Sequence, residues 1–426
     1  MWPHPSALIP HPSVSALTAA TSRYTLSART ERRGNSVSSP AETTAKHFTY
    51  YPGNYRWSAE MMVILSTAPY GGAELSEVDR IGRSLRDRVG DDEAWFEAWR
   101  VGADLLSRRA AGMAAKGHRL TAASSYLRAN FYYQSADHFR QPKDEKALAA
   151  FRQSLECFRQ FAALTDRPKI EVVELPSKHG SFPAYFVHAV NSDRKKNPCV
   201  VRFGGFDTQK EMQYLRGTPE LVKRGISYLL VDGPGQGEMI RFRNMHLRHD
   251  FEIAGSAAFD YLATRDDVDT DRVGILAMSL GGYYAPRIAA MDPRYKACIA
   301  WGAIWNYHAT WVKRLERIKQ AALPVPADHL LWTCGVKTYD EALKKIEGFK
   351  LDGIAQKVQC PFLLMHGAAD AQVSVPEAQR LFDTIGSRDK TFRVFTEEEG
   401  GAQHCQRDYL TRAVDVIADW LDEKLK

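Results

Sequence analysis

A serine hydroxyl is a weak nucleophile at neutral pH. A chain that uses one must also supply an imidazole to take its proton and a carboxylate to hold that imidazole in one tautomer. Residues of these types stand at telling places in the sequence. Ser279 lies in Ala277-Met278-Ser279-Leu280-Gly281-Gly282, which resembles the G-x-S-x-G nucleophile elbow with Ala for the first Gly. It follows the apolar stretch Val273–Ala277 and opens a predicted helix, Tyr283–Met291. Small neighbours are needed there because the serine sits on a tight turn with strained backbone. Asp370 ends His366-Gly367-Ala368-Ala369-Asp370, and His404 ends Gly400-Gly401-Ala402-Gln403-His404. Each follows another predicted strand. Serine, acid and histidine in this chain order, each beyond a strand end, point to acyl-transfer chemistry. Ser279 could otherwise be a plain residue of a Gly-rich helix start, Asp370 a turn carboxylate and His404 a surface histidine. Asp352, before its strand, and Asp408, placed inside the last helix, suit the acid role less well. His366 belongs at a strand end beside the acid and is expected to pack.

Negative charge developing on the attacked carbonyl oxygen needs donors as well. Phe203-Gly204-Gly205-Phe206 follows another strand, and its glycines allow a backbone to come close to a substrate. The amides of Phe206 and Leu280 are the candidate oxyanion donors, each worth about 2.7–4 kcal/mol in the transition state. Thr208-Gln209-Lys210-Glu211 reads as a capping box. Asp207 beside it is a candidate substrate contact or a support for the turn, and support is favoured. Asp232-Gly233-Pro234-Gly235-Gln236-Gly237-Glu238 lacks the Gly-Lys-Ser/Thr of a phosphate loop. It reads as a tight loop near the site, with Glu238 either supporting it or solvated. Aromatic residues gather at Trp305, Tyr307, His308, Trp311, Trp332 and Tyr339, and again at Tyr126, Phe131, Tyr132 and Tyr133. Any one of them serves helix packing more readily than a ligand, but a few are expected to reach a pocket. The substrate contacts named on this basis are Gly205, Asp207, Glu238, Tyr126, Tyr133 and Trp305. His and Cys show no metal-ligand spacing, so no metal and no cofactor are expected.

The elements that must position these residues fall into two patterns. From about Ser76 to Leu164 apolar residues recur at helical spacing, as in Val78, Ile81, Leu85 and Val89, with Asp91 or Asp92 as a cap, Gly117 as a stop and Pro142 as a break. After Pro168 short apolar strands alternate with helices. Ile170–Glu174 and Ala184–Val187 read as an antiparallel pair. Cys199–Phe203, Tyr228–Val231, Val273–Ala277, Cys298–Trp301, Phe362–Met365 and Phe392–Phe395 then read as buried strands. Such alternation implies an α/β fold, a mostly parallel, doubly wound sheet whose sites lie at the carboxyl ends of its strands. The expected domains are a tail at 1–46, a helical domain at 47–167 and a catalytic domain at 168–426 with a helical, aromatic-rich insertion at about 303–358.

Composition bounds the rest. The chain has 57 Lys and Arg against 51 Asp and Glu, a net charge of +6 dispersed among acids, so no nucleic-acid partner is expected. Mean hydropathy is -0.38, and no apolar run nears the roughly 18–20 residues that span a bilayer. The six cysteines form no C-x-x-C and sit mostly in apolar contexts, which suggests reduced thiols and a cytoplasmic location. Residues 1–46 are rich in Ser, Thr, Ala and Pro, with Arg23, Arg29, Arg32 and Arg33, and lack a continuous apolar core. A disordered tail or an over-extended start fits them better than a transit peptide.

The motifs from about Tyr126 onward resemble the α/β-hydrolase family that includes the 2,6-dihydroxypseudooxynicotine hydrolases and the fungal polyketide chain-shortening hydrolases of pigment biosynthesis. The likeness rests on Gly204–Asp207, Asp232–Glu238, Ser279–Ala285, His366–Asp370 and His404-Cys405-Gln406. It implies a helical domain closing as a cap over the site, cofactor-independent cleavage of a C–C bond beside a carbonyl in a small aromatic or polyketide-like substrate, and a homodimer. A carboxylesterase or lactonase would use the same three residues. A binding or regulatory protein on this fold would leave them idle.

Overall fold

In a computed structural model the structure describes residues 47–316, 323 and 325–425, so the expected tail at 1–46 lies outside the described residues. The chain opens with helices α1 (Tyr55–Ser66), α2 (Leu75–Ser84), α3 (Asp92–Ala115), α4 (Arg119–Phe139) and α5 (Glu145–Leu164). Asp91 caps α3 by accepting from the Ala94 amide, and Asp144 does the same for α5 with Ala147. The helical pattern of the sequence begins only near Ser76, so α1 is an addition. Residues 57 to 62 of α1 are buried on every side, which erases the polar face that periodicity would detect. An aromatic chain holds this region together. Trp57 meets Trp95 at 4.8 Å between ring centroids, Trp95 meets Trp99 at 5.5 Å, and Trp99 meets Tyr132 at 5.2 Å.

The rest builds one eight-stranded sheet in the order β1-β2-β4-β3-β5-β6-β7-β8. Its strands are β1 (Ile170–Leu175), β2 (Phe182–Val187), β3 (Asn197–Phe203), β4 (Ser227–Val231), β5 (Val268–Met278), β6 (Ala297–Trp301), β7 (Phe362–Gly367) and β8 (Lys390–Phe395). β2 pairs antiparallel with both β1 and β4, and every later pairing is parallel. Between strands run α6 (Lys210–Tyr214), α7 (Thr218–Val222), α8 (Gly237–Phe242), α9 (Glu252–Ala263), α10 (Gly281–Met291), α11 (Tyr307–Glu316), α12 (His329–Cys334), α13 (Tyr339–Ile346) and α14 (Val375–Thr384), and α15 (Leu410–Leu425) closes the chain. This is the α/β-hydrolase fold with an N-terminal helical region. Side chains alternate across each strand, so Val200, Leu276, Ile299 and Leu363 join a core shared with α15 and the N-terminal helices. Val201, Ile275, Ala300 and Leu364 join another with α9, α10 and α11–α13. No helix among the described residues is long and apolar enough to cross a membrane.

The carboxyl ends of β3, β5 and β6 come unusually close. Ser279 holds a left-handed φ of 62°, and its amide donates to the Trp301 carbonyl at 2.8 Å. A Cβ on Gly281 would sit 2.6 Å from the Ala277 Cβ, so the alanine that replaces the first elbow glycine is tolerated because Gly281 has no side chain. A Cβ on Gly282 would lie 2.3 Å from the Gly302 carbonyl oxygen, a backbone atom that cannot swing away. Gly282→Ala is therefore expected to cost about 1–3 kcal/mol, read as a lowered midpoint of guanidinium unfolding at unchanged slope.

Candidate active site

The structure brings Ser279, His404 and Asp370 together. Ser279 Oγ lies 2.8 Å from His404 Nε2, and His404 Nδ1 donates to Asp370 Oδ2 at 2.7 Å. Each sits beyond a strand end: Ser279 after β5, Asp370 after β7, and His404 in the loop after β8. The other carboxylate oxygen of Asp370 accepts from the amides of Gln372 at 2.8 Å and Val373 at 3.1 Å. His366, the rival imidazole, is buried and points its Nε2 at the Val373 carbonyl, 3.9 Å from Asp370 Oδ2.

Burial works against the Asp370 charge, but the neighbouring His404, His366 and the Gln372 amide outweigh it and hold the carboxyl at about 2. Burial likewise opposes a charged His404, yet the Asp370 carboxylate, helped by Cys405, leaves its pKa well above the ordinary 6.5. A protonated His404 donates Nε2–H to Ser279 Oγ. Once the proton leaves, the same contact reverses, and Oγ–H donates to an imidazole able to act as a base.

The His404 loop is held from below. Asp408 lies before α15 rather than inside it, and its carboxylate accepts from the amides of Gly401 and Gln403, both at 3.0 Å. Trp301 Nε1 donates to Gln406 Oε1 at 2.6 Å, and Arg407 donates to the hydroxyl of Tyr55 at the start of α1.

The two candidate amides come from different loops, Phe206 from the loop after β3 and Leu280 from the turn after β5. Among the described residues the backbone N–H groups of Phe206 and Leu280 donate to no other group, and both residues line the cavity that holds Ser279 and His404. Gly205 presses against the elbow, where a Cβ would meet Met278 O at 2.7 Å and Ser279 Cβ at 2.8 Å. Gln236 donates to the carbonyls of Gly204 and Gly205, both at 2.9 Å, and so turns that loop's carbonyls away from the cavity. Sequence reading passed over Gln236; its place inside the Gly-rich loop after β4 was the available signal. The capping box expected at Thr208 does not form. Thr208 Oγ1 accepts from the Gly205 amide at 2.6 Å, and Glu211 is occupied by the Tyr185 hydroxyl at 2.9 Å.

The expected substrate contacts divide. Asp207 lines the cavity, 3.9 Å from His138 Nε2. Glu238 does not: it is buried against the Lys210 ammonium, which also pairs with Asp232 at 3.0 Å, so the loop carboxylate is a structural ion-pair member. Tyr126 packs between helices, and Tyr133 donates to Asp104 at 2.6 Å within the helical region. Trp305 is buried under Arg380, away from the cavity. Of the aromatic residues singled out in the sequence, Tyr307 and Trp311 do reach it, alongside Phe206. Helical spacing reports which residues face inward, but not whether the inside is core or cavity. Sequence reading also missed Glu60, His138, Arg216 and Arg407, polar residues scattered through helices and loops with no motif to mark them.

The arrangement can deliver a serine alkoxide to a carbonyl under a pair of amide donors, which is the requirement for hydrolysis through an acyl intermediate. Residues 211–426 match the prolyl oligopeptidase family, Peptidase_S9. A hydrolase, LUC6, of a Fusarium species is 30% identical over 88% of this chain and 97% of its own. The 20-hydroxy-prefusarin hydrolase FUS2 of Gibberella moniliformis is 30% identical over 85% of this chain and 95% of its own. The crystal structure of 2,6-dihydroxy-pseudo-oxynicotine hydrolase superposes with a TM-score of 0.72 at 25% identity, covering 85% of this chain and 95% of that one. The chain belongs to the prolyl oligopeptidase family of α/β-hydrolases. Within it, the protein is a hydrolase related to fungal secondary-metabolite hydrolases.

The raised His404 pKa has a measurable sign. The basic form increases as pH rises through that pKa, so kcat/KM should climb with an acid limb whose midpoint lies above 6.5. Asp370→Asn removes the charge that raises it, and the limb should move to lower pH while the rate falls by about 10⁴-fold. A pH profile of the ester-hydrolysis rate checks both.

Proposed function

We propose that Ser279 is the nucleophile, His404 the general base and acid, and Asp370 the carboxylate that orients it, with the amides of Phe206 and Leu280 as the oxyanion hole. The reaction is hydrolysis of a C–C bond beside a carbonyl in a small aromatic or polyketide-like substrate, without a cofactor. The observation that carries this reading is the hydrogen-bonded chain from Ser279 Oγ through His404 to Asp370 Oδ2, opening on a cavity beside two free amides.

In this reading Ser279 Oγ adds to the carbonyl carbon and its proton passes to His404. The tetrahedral oxyanion collapses, the C–C electron pair leaves on the departing carbon, and that carbon takes the proton back from His404. Water, deprotonated by His404, then releases the acyl group as a carboxylic acid. The helical region 47–167 acts as a cap: Ala59, Glu60 and Val63 of α1 and His138 of α4 form one wall of the cavity. The insertion 303–358 lends Tyr307 and Trp311 as apolar walls suited to a flat ring.

A fluorophosphonate probe should label the wild-type protein and leave Ser279→Ala unlabelled. On a panel of aryl esters, β-diketones and acylphenols, Ser279→Ala and His404→Ala should each lose about 10⁴-fold or more of turnover while the far-UV circular dichroism stays that of the wild type. Turnover that survives in Ser279→Ala would exclude that residue as nucleophile, and a folded wild type that neither labels nor turns over would point to an idle binding protein.

A further inference from the structure

Cleaving a C–C bond makes a demand that cleaving an ester does not. An ester's leaving oxygen carries its electron pair unaided, whereas a departing carbon needs a place to send it, normally a second carbonyl that becomes an enolate. The machinery of Ser279, His404 and Asp370 offers nothing to that second oxygen.

The same cavity holds a group suited to it. Arg216, in the turn between α6 and α7, lines the cavity and is only 4% exposed. Among the described residues its Nε and Nη1 have no hydrogen-bond partner. A buried guanidinium with idle donors is costly unless something else accepts from them. Of the other arginines lining this cavity, Arg407 donates to Tyr55 and leaves only its Nε without a partner, and Arg314 donates to the Gln372 carbonyl at 3.3 Å. Glu60, 4% exposed on α1, lines the same cavity, and its Oε1 is also without a partner. Glu60 lies 3.5 Å from His138 Nε2, and His138 in turn reaches Asp207. The cavity that holds the nucleophile thus offers idle cationic donors and an idle carboxyl oxygen from the same lining.

We propose that Arg216 binds the enolate oxygen of the leaving fragment, that Glu60 accepts from a hydroxyl of the same substrate, and that the substrate is therefore an enolisable 1,3-dicarbonyl compound. This rests on the C–C reading above and adds its electron sink. When the adduct on Ser279 collapses, the bond pair moves from the breaking C–C bond into a new C=C bond. The second carbonyl's π pair moves onto its oxygen, where the guanidinium receives the charge. Protonation at carbon by His404 restores the ketone, so a 1,3-diketone and one water give one carboxylic acid and one ketone. Arg216 becomes the residue that selects a carbon leaving group over an oxygen one.

The test compares 1-phenylbutane-1,3-dione with p-nitrophenyl acetate on the full chain. Arg216→Met should lower kcat/KM for the dione by about 100-fold or more while the ester rate stays within about threefold, because only the dione builds charge at that position. Arg216→Lys should recover part of the dione rate. Equal losses on both substrates, or no loss on either, would overturn the assignment and mark Arg216 as a structural neutraliser of Glu60 and Asp207. Wild type that turns over the ester but never the dione would instead sink the C–C reading itself. Should Arg216→Met fail to fold by circular dichroism, protection of wild-type Ser279 from the fluorophosphonate decides. The enolate of dimedone should slow labelling and neutral cyclohexanone should not; equal behaviour of the two overturns the proposal.

Discussion

The left-handed backbone of Ser279 is the constraint on which the site depends. A residue with a side chain at φ 62° is held there only by its surroundings, at a cost of about 1–3 kcal/mol. Those surroundings are backbone: the Trp301 carbonyl takes the Ser279 amide, Gly205 packs on the elbow, and Gly282 packs on Gly302. The ends of β3, β5 and β6 are thereby locked into one small volume. The lock uses backbone atoms and leaves the hydroxyl free for His404, while Phe206 and Leu280 line the same cavity with amides that donate to no other described group.

A second layer of polar contacts fixes what the lock leaves loose. Gln236 ties down the β3 loop, and Asp408 and Gln406 tie down the loop that carries His404. The amides of Gln372 and Val373 hold Asp370 so that one carboxylate oxygen is left for the imidazole. Of these residues only Gln372 and Val373 line the cavity; the others meet no substrate in the proposed reaction. They act by removing rotational freedom from those that do, which is how a rigid scaffold turns residue types into a working geometry.

The helical region enters the site twice, through the cavity wall of α1 and α4 and through the hydrogen bond from Arg407 to Tyr55. It is held internally by tilted and edge-to-face contacts among indoles, phenols and a phenyl ring. Its aromatic richness, which by composition alone suggested a pocket for rings, is spent on this packing. Glu60 of α1 and His138 of α4, and not the indoles and phenols of these helices, line the cavity beside Ala59 and Val63. Specificity in the proposed reaction therefore rests on the placement of buried charge, while Tyr307 and Trp311 provide apolar walls.

Local signals carried much of this architecture. Strand–helix alternation after Pro168, the small-residue turn at Ser279 and the acid and histidine beyond later strands could all be read from neighbouring residues, because turns and buried strands are set by short-range sterics and burial pattern. The helix α1 escaped because it is buried all round and shows no periodicity. Glu238, Tyr126, Tyr133 and Trp305 were misplaced, and Glu60, His138 and Arg216 were overlooked, for a shared reason. Whether a side chain pointing inward meets another core residue, an ion pair or an open cavity depends on what lies opposite, from other elements dozens of residues away in the chain. The sequence by itself determined the chemistry that could be done and the order of the elements that carry it. The tertiary structure alone decided which buried charges stand beside the nucleophile, since that follows from three-dimensional packing and leaves no trace in residue spacing.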